Sequence, residues 1–301
     1  MIEYLSGNEI DRNKWDTCVS SIPGCKPYAY SWYLDIMAPD WEALVDDDYD
    51  SVFPVPAFRK YGFYYIATPV FLQQLGIFSP DNNVPKKLNE YLSFMPEFYR
   101  LIDLCIAQPP DGKDFRVTAR DNYELNLSKP FSKLWEEYSS DCRRNIRLSI
   151  DAKQQVEEDV SPRELIGLFR NNSGRGLRGV KNRDYRKLSA LMQYCTDNGK
   201  GRLLGVRNRA GELIYGLFIV VVDGSVTLLF TATSAESREK RTGYLVINSL
   251  IEEYCDSDRI LDFAGSSIPG VAEYNMSFGS TRVNYYRIFR NNLPWPVKLF
   301  K

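Results

Sequence analysis

The stretch between residues 200 and 263 constrains the fold more than any other part of the sequence. Three strand-like runs, Arg202–Arg207, Leu213–Val222 and Ser225–Ala232, are separated only by Arg209-Ala210-Gly211 and Asp223-Gly224. Both separators are hairpin material, since their glycines reach the backbone conformations that tight turns require. The spacing predicts an antiparallel three-strand meander. After Ser234–Glu239 a helix is predicted with Ile247, Leu250, Ile251 and Tyr254 on one face, since these recur at three- and four-residue steps. A strand at Arg259–Phe263, a loop at Gly265–Gly270, a short helix at Val271–Phe278 and a strand at Val283–Phe289 complete the order. Such an order belongs to an α/β domain with a mixed sheet.

Helices are expected before the meander. Leu127-Ser128-Lys129-Pro130 ends a strand and opens a helix. Phe131, Leu134, Trp135, Tyr138, Cys142 and Ile146 then form one apolar stripe, read as a single helix. Ser161-Pro162-Arg163-Glu164 is a capping box with proline at the first helical position. A third helix carries Leu188, Leu191, Met192 and Cys195 on one face and stops at Asn198-Gly199. In the first half, helices are expected at Ile10–Cys18 and Pro85–Leu92. Strands are expected there at Glu42–Val45, Ser51–Phe58, Phe63–Ile66, Leu101–Ala107 and Tyr123–Leu127. The acidic run Asp46-Asp47-Asp48-Tyr49-Asp50 has the charge of a cation site, but it reads first as a tight turn between strands. At 301 residues the chain exceeds the usual single-domain size, so two domains are expected, 1–127 and 128–301. No internal sequence repeat is visible.

Composition removes several kinds of chemistry. The chain has no histidine, which excludes Ser-His-Asp and Cys-His hydrolases and every histidine-ligated metal site. The six cysteines are scattered without CxxC spacing, so no metal site and no disulfide is expected, as in a reducing compartment. The longest apolar run, Leu217–Val222, is far below the ~20 residues of a membrane helix. The opening Ile2-Glu3-Tyr4 has neither part of a signal peptide, so a cytoplasmic protein is expected. Charge is uneven. Residues 1–130 hold 12 Lys/Arg against 19 Asp/Glu, and residues 131–301 hold 26 against 20. A basic half suits a phosphorylated cofactor or a nucleic acid, although a solvated basic face accounts for the same numbers.

The junction from the third meander strand to the long helix is where chemistry is most legible. Arg238-Glu239-Lys240-Arg241-Thr242-Gly243-Tyr244 is a basic, glycine-containing turn at a helix start. Free N–H groups and the helix dipole there attract a phosphate. Lys240 and Arg241 add charge, and Thr242 is placed to cap the helix. An ordinary capped helix start with solvated cations is the competing reading. Arg143 and Arg147 stand at a repulsive i,i+4 spacing. Arg144 can reach Asp141 and Arg147 can reach Asp151, but Arg143 has no acid at helical spacing. An external anion or a structural ion pair would answer it. The segment Arg170–Lys187, with Arg175 and Arg178 among its cations and Gly174, Gly176 and Gly179 between them, reads as a mobile basic lid or a plain surface loop.

Strand, basic glycine-containing loop, helix, strand resembles the core of the GNAT N-acetyltransferase superfamily, whose loop holds the acetyl-CoA pyrophosphate through a pattern like [RQ]xxGx[GA]. Here Lys240 takes the Arg/Gln position and Leu245 the second small position. The chain is more similar to the Fem-type (FemAB-like) peptidyl transferases and their uncharacterised GNAT-like relatives. Arg143-Arg144-Asn145-Ile146-Arg147, Tyr185–Met192, Leu261-Asp262-Phe263-Ala264-Gly265-Ser266 and Val271–Gly279 carry this likeness over residues 128–290, with Asn275 where a basic residue is usual. Tyr28–Tyr33 and Gln73-Gln74-Leu75-Gly76 resemble uncharacterised members of the same group.

The resemblance implies two tandem GNAT-like lobes and transfer of an acyl or aminoacyl group to an amine, with acyl-CoA or aminoacyl-tRNA as donor. A small-molecule or peptide amine is the acceptor, and tRNA is a partner in the second case. It implies backbone oxyanion donors at Phe230, Thr231 and Ala232, with Arg238, Lys240, Arg241, Thr242, Gly243 and Tyr244 around the donor. Asp262 and Glu273 are then candidate bases, and Tyr274, Tyr285 or Tyr244 the acid. Arg143, Arg144, Arg147, Arg175 and Arg178 face the substrate. A non-catalytic GNAT-like module that binds a nucleotide, RNA or protein partner is the alternative.

Overall fold

The computed structural model describes residues 1–60, 62–81, 83–175, 179–265, 269–296 and 298. The chain groups into two compact units, Met1–Asp121 with Asn284–Lys301, and Asn122–Val283. This grouping differs from a single cut at 127/128 because the last strand returns to pair with a strand of the first unit.

The first unit is a mixed sheet with helices. Strand β1 (Ile2–Leu5) pairs antiparallel with β2 (Trp41–Asp46), and β2 with β3 (Ser51–Lys60) and β3 with β4 (Phe63–Ala67) continue the antiparallel run. Helices α1 (Arg12–Ser20) and α2 (Ser31–Met37) lie between β1 and β2 in sequence. Asp11 starts α1 by accepting hydrogen bonds from the N–H groups of Asn13 and Lys14. Trp15, buried on α1, meets Trp41 of β2 edge to face at 4.7 Å. The acidic run Asp46–Asp50 is a tight turn between β2 and β3, as expected. Helix α3 (Leu88–Ser93) precedes β5 (Tyr99–Ile106), which lies parallel to β4. The far part of the last strand pairs antiparallel with β5, from Tyr286 opposite Ile106 to Asn291 opposite Leu101.

The second unit repeats this element order without a visible sequence repeat. The chain enters it within β6 (Arg116–Asn126) and continues through α4 (Phe131–Glu137), α5 (Ser140–Asp151), α6 (Pro162–Asn171) and α7 (Asn182–Asp197). The stripe from Phe131 to Ile146 is thus two helices rather than one. The break falls at Tyr138, and Ser139 caps α5 by accepting from the Cys142 N–H. The meander β7 (Gly201–Arg207), β8 (Leu213–Val222) and β9 (Ser225–Thr233) is antiparallel throughout. Helices α8 (Ala235–Glu239) and α9 (Thr242–Tyr254) lead to β10 (Ile260–Asp262), parallel to β9, and α10 (Pro269–Met276) leads to β11 (Thr281–Asn291). The end of β6 closes the sheet by pairing antiparallel with β10.

Two helical layers cover this second sheet. On one face Leu217, Ile219, Val226 and Leu261 pack with Ile247, Leu250 and Ile251 of α9 and with Cys142 and Ile146 of α5. Burying each such side chain contributes about 1.5–3 kcal/mol before the entropy of ordering it is subtracted. On the other face α6 lies so close that a Cβ on Gly216 would stand 2.5 Å from Leu165 Cδ1 and would have to displace the end of that side chain. The Ser161–Glu164 capping box forms as read from the sequence. Mixed α/β architecture in two tandem lobes therefore holds. Among the described residues no helix is long and apolar enough to cross a membrane, and all six cysteines are free thiols.

Candidate functional site

The site begins with a difference in strand length. Strand β9 pairs with β8 from Ser225 to Thr233, but with β10 only at Ser225, Val226 and Thr227. Strand β10 stops at Asp262, and the Phe263 N–H turns to the Tyr123 carbonyl at 3.0 Å. From Leu228 onward no described strand pairs with that edge of β9, and the N–H groups facing it lack ladder partners. A bulge adds to the opening. Phe218 pairs with Phe230 and Ile219 with Leu228, so Leu229 is an extra residue in the strand. An extra residue breaks the two-residue alternation of side chains. As a result Leu228, Thr231 and Thr233 line the same cavity, of about 530 Å³, at the open edge. Phe230 is buried, its ring 4.6 Å from Phe169 of α6, and it does not line this space.

The rim of the cavity is the turn between α8 and α9. Ser234 caps α8 by accepting from the Ser237 N–H. Arg241, at φ 57 and ψ 27, then reverses the chain into α9, and among the described residues no side chain caps that helix. A left-handed arginine costs roughly 1–2 kcal/mol of strain. Gln154 holds the turn from behind. Its Nε2 donates to the Lys240 carbonyl at 3.0 Å and to the Ser149 carbonyl at 3.3 Å, and its Oε1 accepts from the Thr242 hydroxyl. Thr242 is consequently fully buried and is the first residue of α9 rather than its cap. Lys240 pairs with Glu236 at 2.6 Å, one helical turn back, and does not line the cavity. Of the three expected cations, Arg238 and Arg241 line it, with Arg238 also donating to the Thr233 carbonyl at 3.3 Å.

Aromatic rings form the inner wall. Tyr244 meets Tyr274 edge to face at 4.8 Å, and Phe278 lies 5.3 Å from Tyr274 and 6.1 Å from Phe263. Gly243 lets these rings close on the start of α9, since a Cβ there would stand 3.0 Å from the Tyr274 hydroxyl and 3.7 Å from that of Tyr215. Burial raises the pKa of Tyr215, of Tyr244 and, most strongly, of Tyr274. For Tyr244 a hydrogen bond from Asn145 of α5 opposes the rise. All three phenols keep their protons at neutral pH and are hydrogen-bond donors. Asn275 completes the wall. It is 3% exposed, and among the described residues its Nδ2 has no hydrogen-bond partner.

Six of the expected residues therefore meet here: Thr231, Arg238, Arg241, Gly243, Tyr244 and Tyr274. The others are elsewhere. Asp262 is fully buried on β10, its Oδ1 accepting from Asn122 Nδ2 at 3.0 Å and the Ala264 N–H at 2.8 Å. Ala232 is buried opposite Gly216 in the ladder. Glu273 lies on the exposed side of α10, and Tyr285 lies in the part of β11 that belongs to the first unit. On α5, Arg144 pairs with Asp141 at 3.0 Å, Arg143 is half-buried and Arg147 exposed, and none of them lines the cavity. Arg175 is exposed after α6, and Arg178 falls outside the described residues. Among the described residues no acidic or cysteine cluster has the arrangement of a metal site. Sequence reasoning missed Gln154 and Tyr215. It met Asn275 only as a departure from a pattern. A one-residue strand bulge leaves no mark in composition.

No known family profile matches the sequence, and no curated protein matches it. Solved structures do. A crystal structure of FemX is 12% identical with a TM-score of 0.68, over 99% of this chain and 99% of that one. L-PGS from Bacillus licheniformis is 13% identical with a TM-score of 0.55, over 96% and 95%. The C-terminal domain of a putative lysylphosphatidylglycerol synthetase from Agrobacterium fabrum is 8% identical with a TM-score of 0.51, over 96% and 93%. At such identities the likeness is one of fold, and it runs through both units. The chain has the Fem-like, GNAT-type fold.

Proposed function

We propose that the chain transfers an acyl or aminoacyl group from an activated donor, acyl-CoA or aminoacyl-tRNA, to the amine of a small molecule or peptide. The observation that carries this reading is the opening of β9 beside an uncapped helix start bearing Arg238 and Arg241. Arginines and helix N–H groups suit the donor's phosphate. Those N–H groups between Leu228 and Thr233 that face the open edge suit the oxyanion that forms when an amine attacks the acyl carbon. The Tyr274 hydroxyl, held protonated by burial, donates a hydrogen bond to the departing thiolate or ribose oxygen. Among the described residues no carboxylate lines the cavity, so the acceptor amine sheds its proton to water. The fold is also that of a protein named for synthesis of lysylphosphatidylglycerol, an aminoacylated product.

Thermal denaturation with acetyl-CoA, with longer acyl-CoAs and with charged tRNA tests the reading. A bound donor at a hundredfold excess over its Kd stabilises by roughly 2.7 kcal/mol. Arg238→Glu combined with Arg241→Glu abolishes that shift and leaves the unliganded Tm in place. Donor affinity unchanged by the double substitution removes the phosphate site, and the proposal with it. The lack of a base among the described residues of the cavity wall favours one second reading, a non-catalytic binding module. Donor binding without turnover across a panel of amines selects it.

A further inference from the structure

The chemistry of the cavity wall goes further than the class of reaction. We propose, on the reading that this cavity holds the donor, that its inner part takes an uncharged acyl group bearing a hydrogen-bond acceptor, and that Asn275 selects it. Asn275 is buried on α10 among aromatic side chains, and its backbone is fixed: its carbonyl accepts from the Ser280 hydroxyl at 2.9 Å and the Phe278 N–H at 3.3 Å. Its side-chain Nδ2 nevertheless has no acceptor among the described residues. A buried amide N–H without a partner is costly, and native proteins leave few of them. An acceptor brought by a ligand, such as the carbonyl of an acyl or amide group, satisfies it.

The rest of the wall sets the charge of that ligand. Leu228, Ile247, Phe263 and Val271 are apolar, and the tyrosines beside them stay neutral. Among the described residues the only ionised side chains on the cavity are Arg238 and Arg241, both exposed. A lysyl-type ammonium in the inner part finds no counter-charge, loses its water and shares the cavity with two cations. A neutral group of leucyl or phenylalanyl size whose amine is itself acylated buries its surface against the apolar wall and presents its amide carbonyl, not the reacting one, to Asn275.

Titration of the full chain with N-acetyl-leucinamide, N-acetyl-phenylalaninamide and N-acetyl-lysinamide, followed by ligand-observed NMR, tests this. The neutral amides are expected to bind at least about tenfold more tightly than the lysine amide, the ratio that 1.4 kcal/mol supplies. Asn275→Leu is expected to weaken the neutral amides about tenfold. It is also expected to leave the unliganded Tm unchanged or raised by about 2 °C, because it removes a buried donor that has no partner. Asn275→Asp is expected to move the preference toward the lysine amide. Equal binding of all three amides overturns the proposal, as does binding of none. A marked fall in Tm in Asn275→Leu also overturns it, since that shows an internal partner for the amide. Inorganic pyrophosphate, titrated separately, reports on Arg238 and Arg241. If pyrophosphate fails to bind while amide selectivity holds, only the donor reading is lost. If pyrophosphate binds without amide selectivity, only the present inference is lost.

Discussion

The same junction occurs twice in this chain and is built in opposite ways. In the first unit β4 runs parallel to β5 and stays paired to its last residue, Ala67 opposite Asp103. The next residue continues the seam. The Thr68 N–H donates to the Asp103 carbonyl at 3.0 Å, and its hydroxyl accepts from the Cys105 N–H at 2.6 Å. In the second unit β9 outruns β10 by six residues, Leu228 to Thr233, and the cavity occupies the edge left over. The helices that follow differ too. Helix α3 is 6 residues long with Glu90 in its first turn, whereas α9 is 13 residues long and starts on a basic turn. One element order thus gives a closed seam or a cleft, depending on where the second parallel strand stops. The cavity proposed to hold an anionic, acyl-bearing ligand lies in the second unit.

The largest effect follows from the closed seam. Thr68→Val removes the acceptor for the Cys105 N–H and keeps the shape. The lost hydrogen bond is expected to cost about 1–2 kcal/mol, the lower part of the range for a stranded donor because Thr68 is half-buried. Thr231→Val, at the open edge, is expected to stay within about 0.5 kcal/mol, as exposed positions do. Urea unfolding of both variants measures this. Equal losses would mean that the edge of β9 is held as firmly as that of β4, and the contrast between the units would fail.

Within the second unit the contrast lies between two helix starts. Helix α6 opens under the Ser161–Glu164 box, and Glu164 also pairs with Arg207 at 2.9 Å. The Ser161 hydroxyl first, then the Ser161 N–H and Arg207, hold the Glu164 carboxyl down at about 2, below its ordinary 4.5. A depressed carboxyl stabilises the fold above its unfolded value, and that contribution disappears as pH falls from about 4.5 toward 2. Ser161→Ala is expected to cost about 1 kcal/mol at neutral pH, and the gap from wild type should narrow over that acid window. Thermal melts from pH 7 to pH 3 check it. A gap that holds constant down to pH 3 would separate the cap from the carboxylate. Among the described residues helix α9 has no such side-chain cap, as suits the ligand proposed for its start.

Much of the fold was legible in the sequence because it rests on local rules. Asp223-Gly224 set the turn between β8 and β9, and Ser161 with Glu164 set the start of α6. Where the sequence misled, a second element decided the outcome. Tyr138 and Cys142 keep the helical spacing through a chain break because both face the same core, and only Ser139 marks the new start. Nothing in Val283–Phe289 says that its far half pairs with β5. Asp262 stands at a strand end, as a catalytic base often does, yet Asn122 and Ala264 use it to tie the strand down. Lys240 sits where a phosphate ligand would, although Glu236 lies at i−4, a pairing the sequence itself displays. The cavity needed the lengths of β9 and β10, the bulge at Leu229 and the glutamine behind the turn. These are properties of pairing, and no single segment encodes them.

The smallest effect is the most diagnostic of the open junction. Arg241 adopts a left-handed conformation that glycine accepts without strain, and the chain keeps arginine there, clamped through Lys240 and Thr242 by Gln154. Arg241→Gly relieves roughly 1–2 kcal/mol of backbone strain, and the greater unfolded-state freedom of glycine takes back about 0.5–1. A net stabilisation of about 0.5 kcal/mol is therefore expected, read as a small rise in the urea midpoint with an unchanged slope. The same variant is expected to lose affinity for pyrophosphate. A gain in stability together with a loss of binding is the signature of strain retained for a ligand. A loss of stability would instead make the Arg241 side chain a structural brace of the α8–α9 turn, and the open junction would lose its main cation as a ligand group.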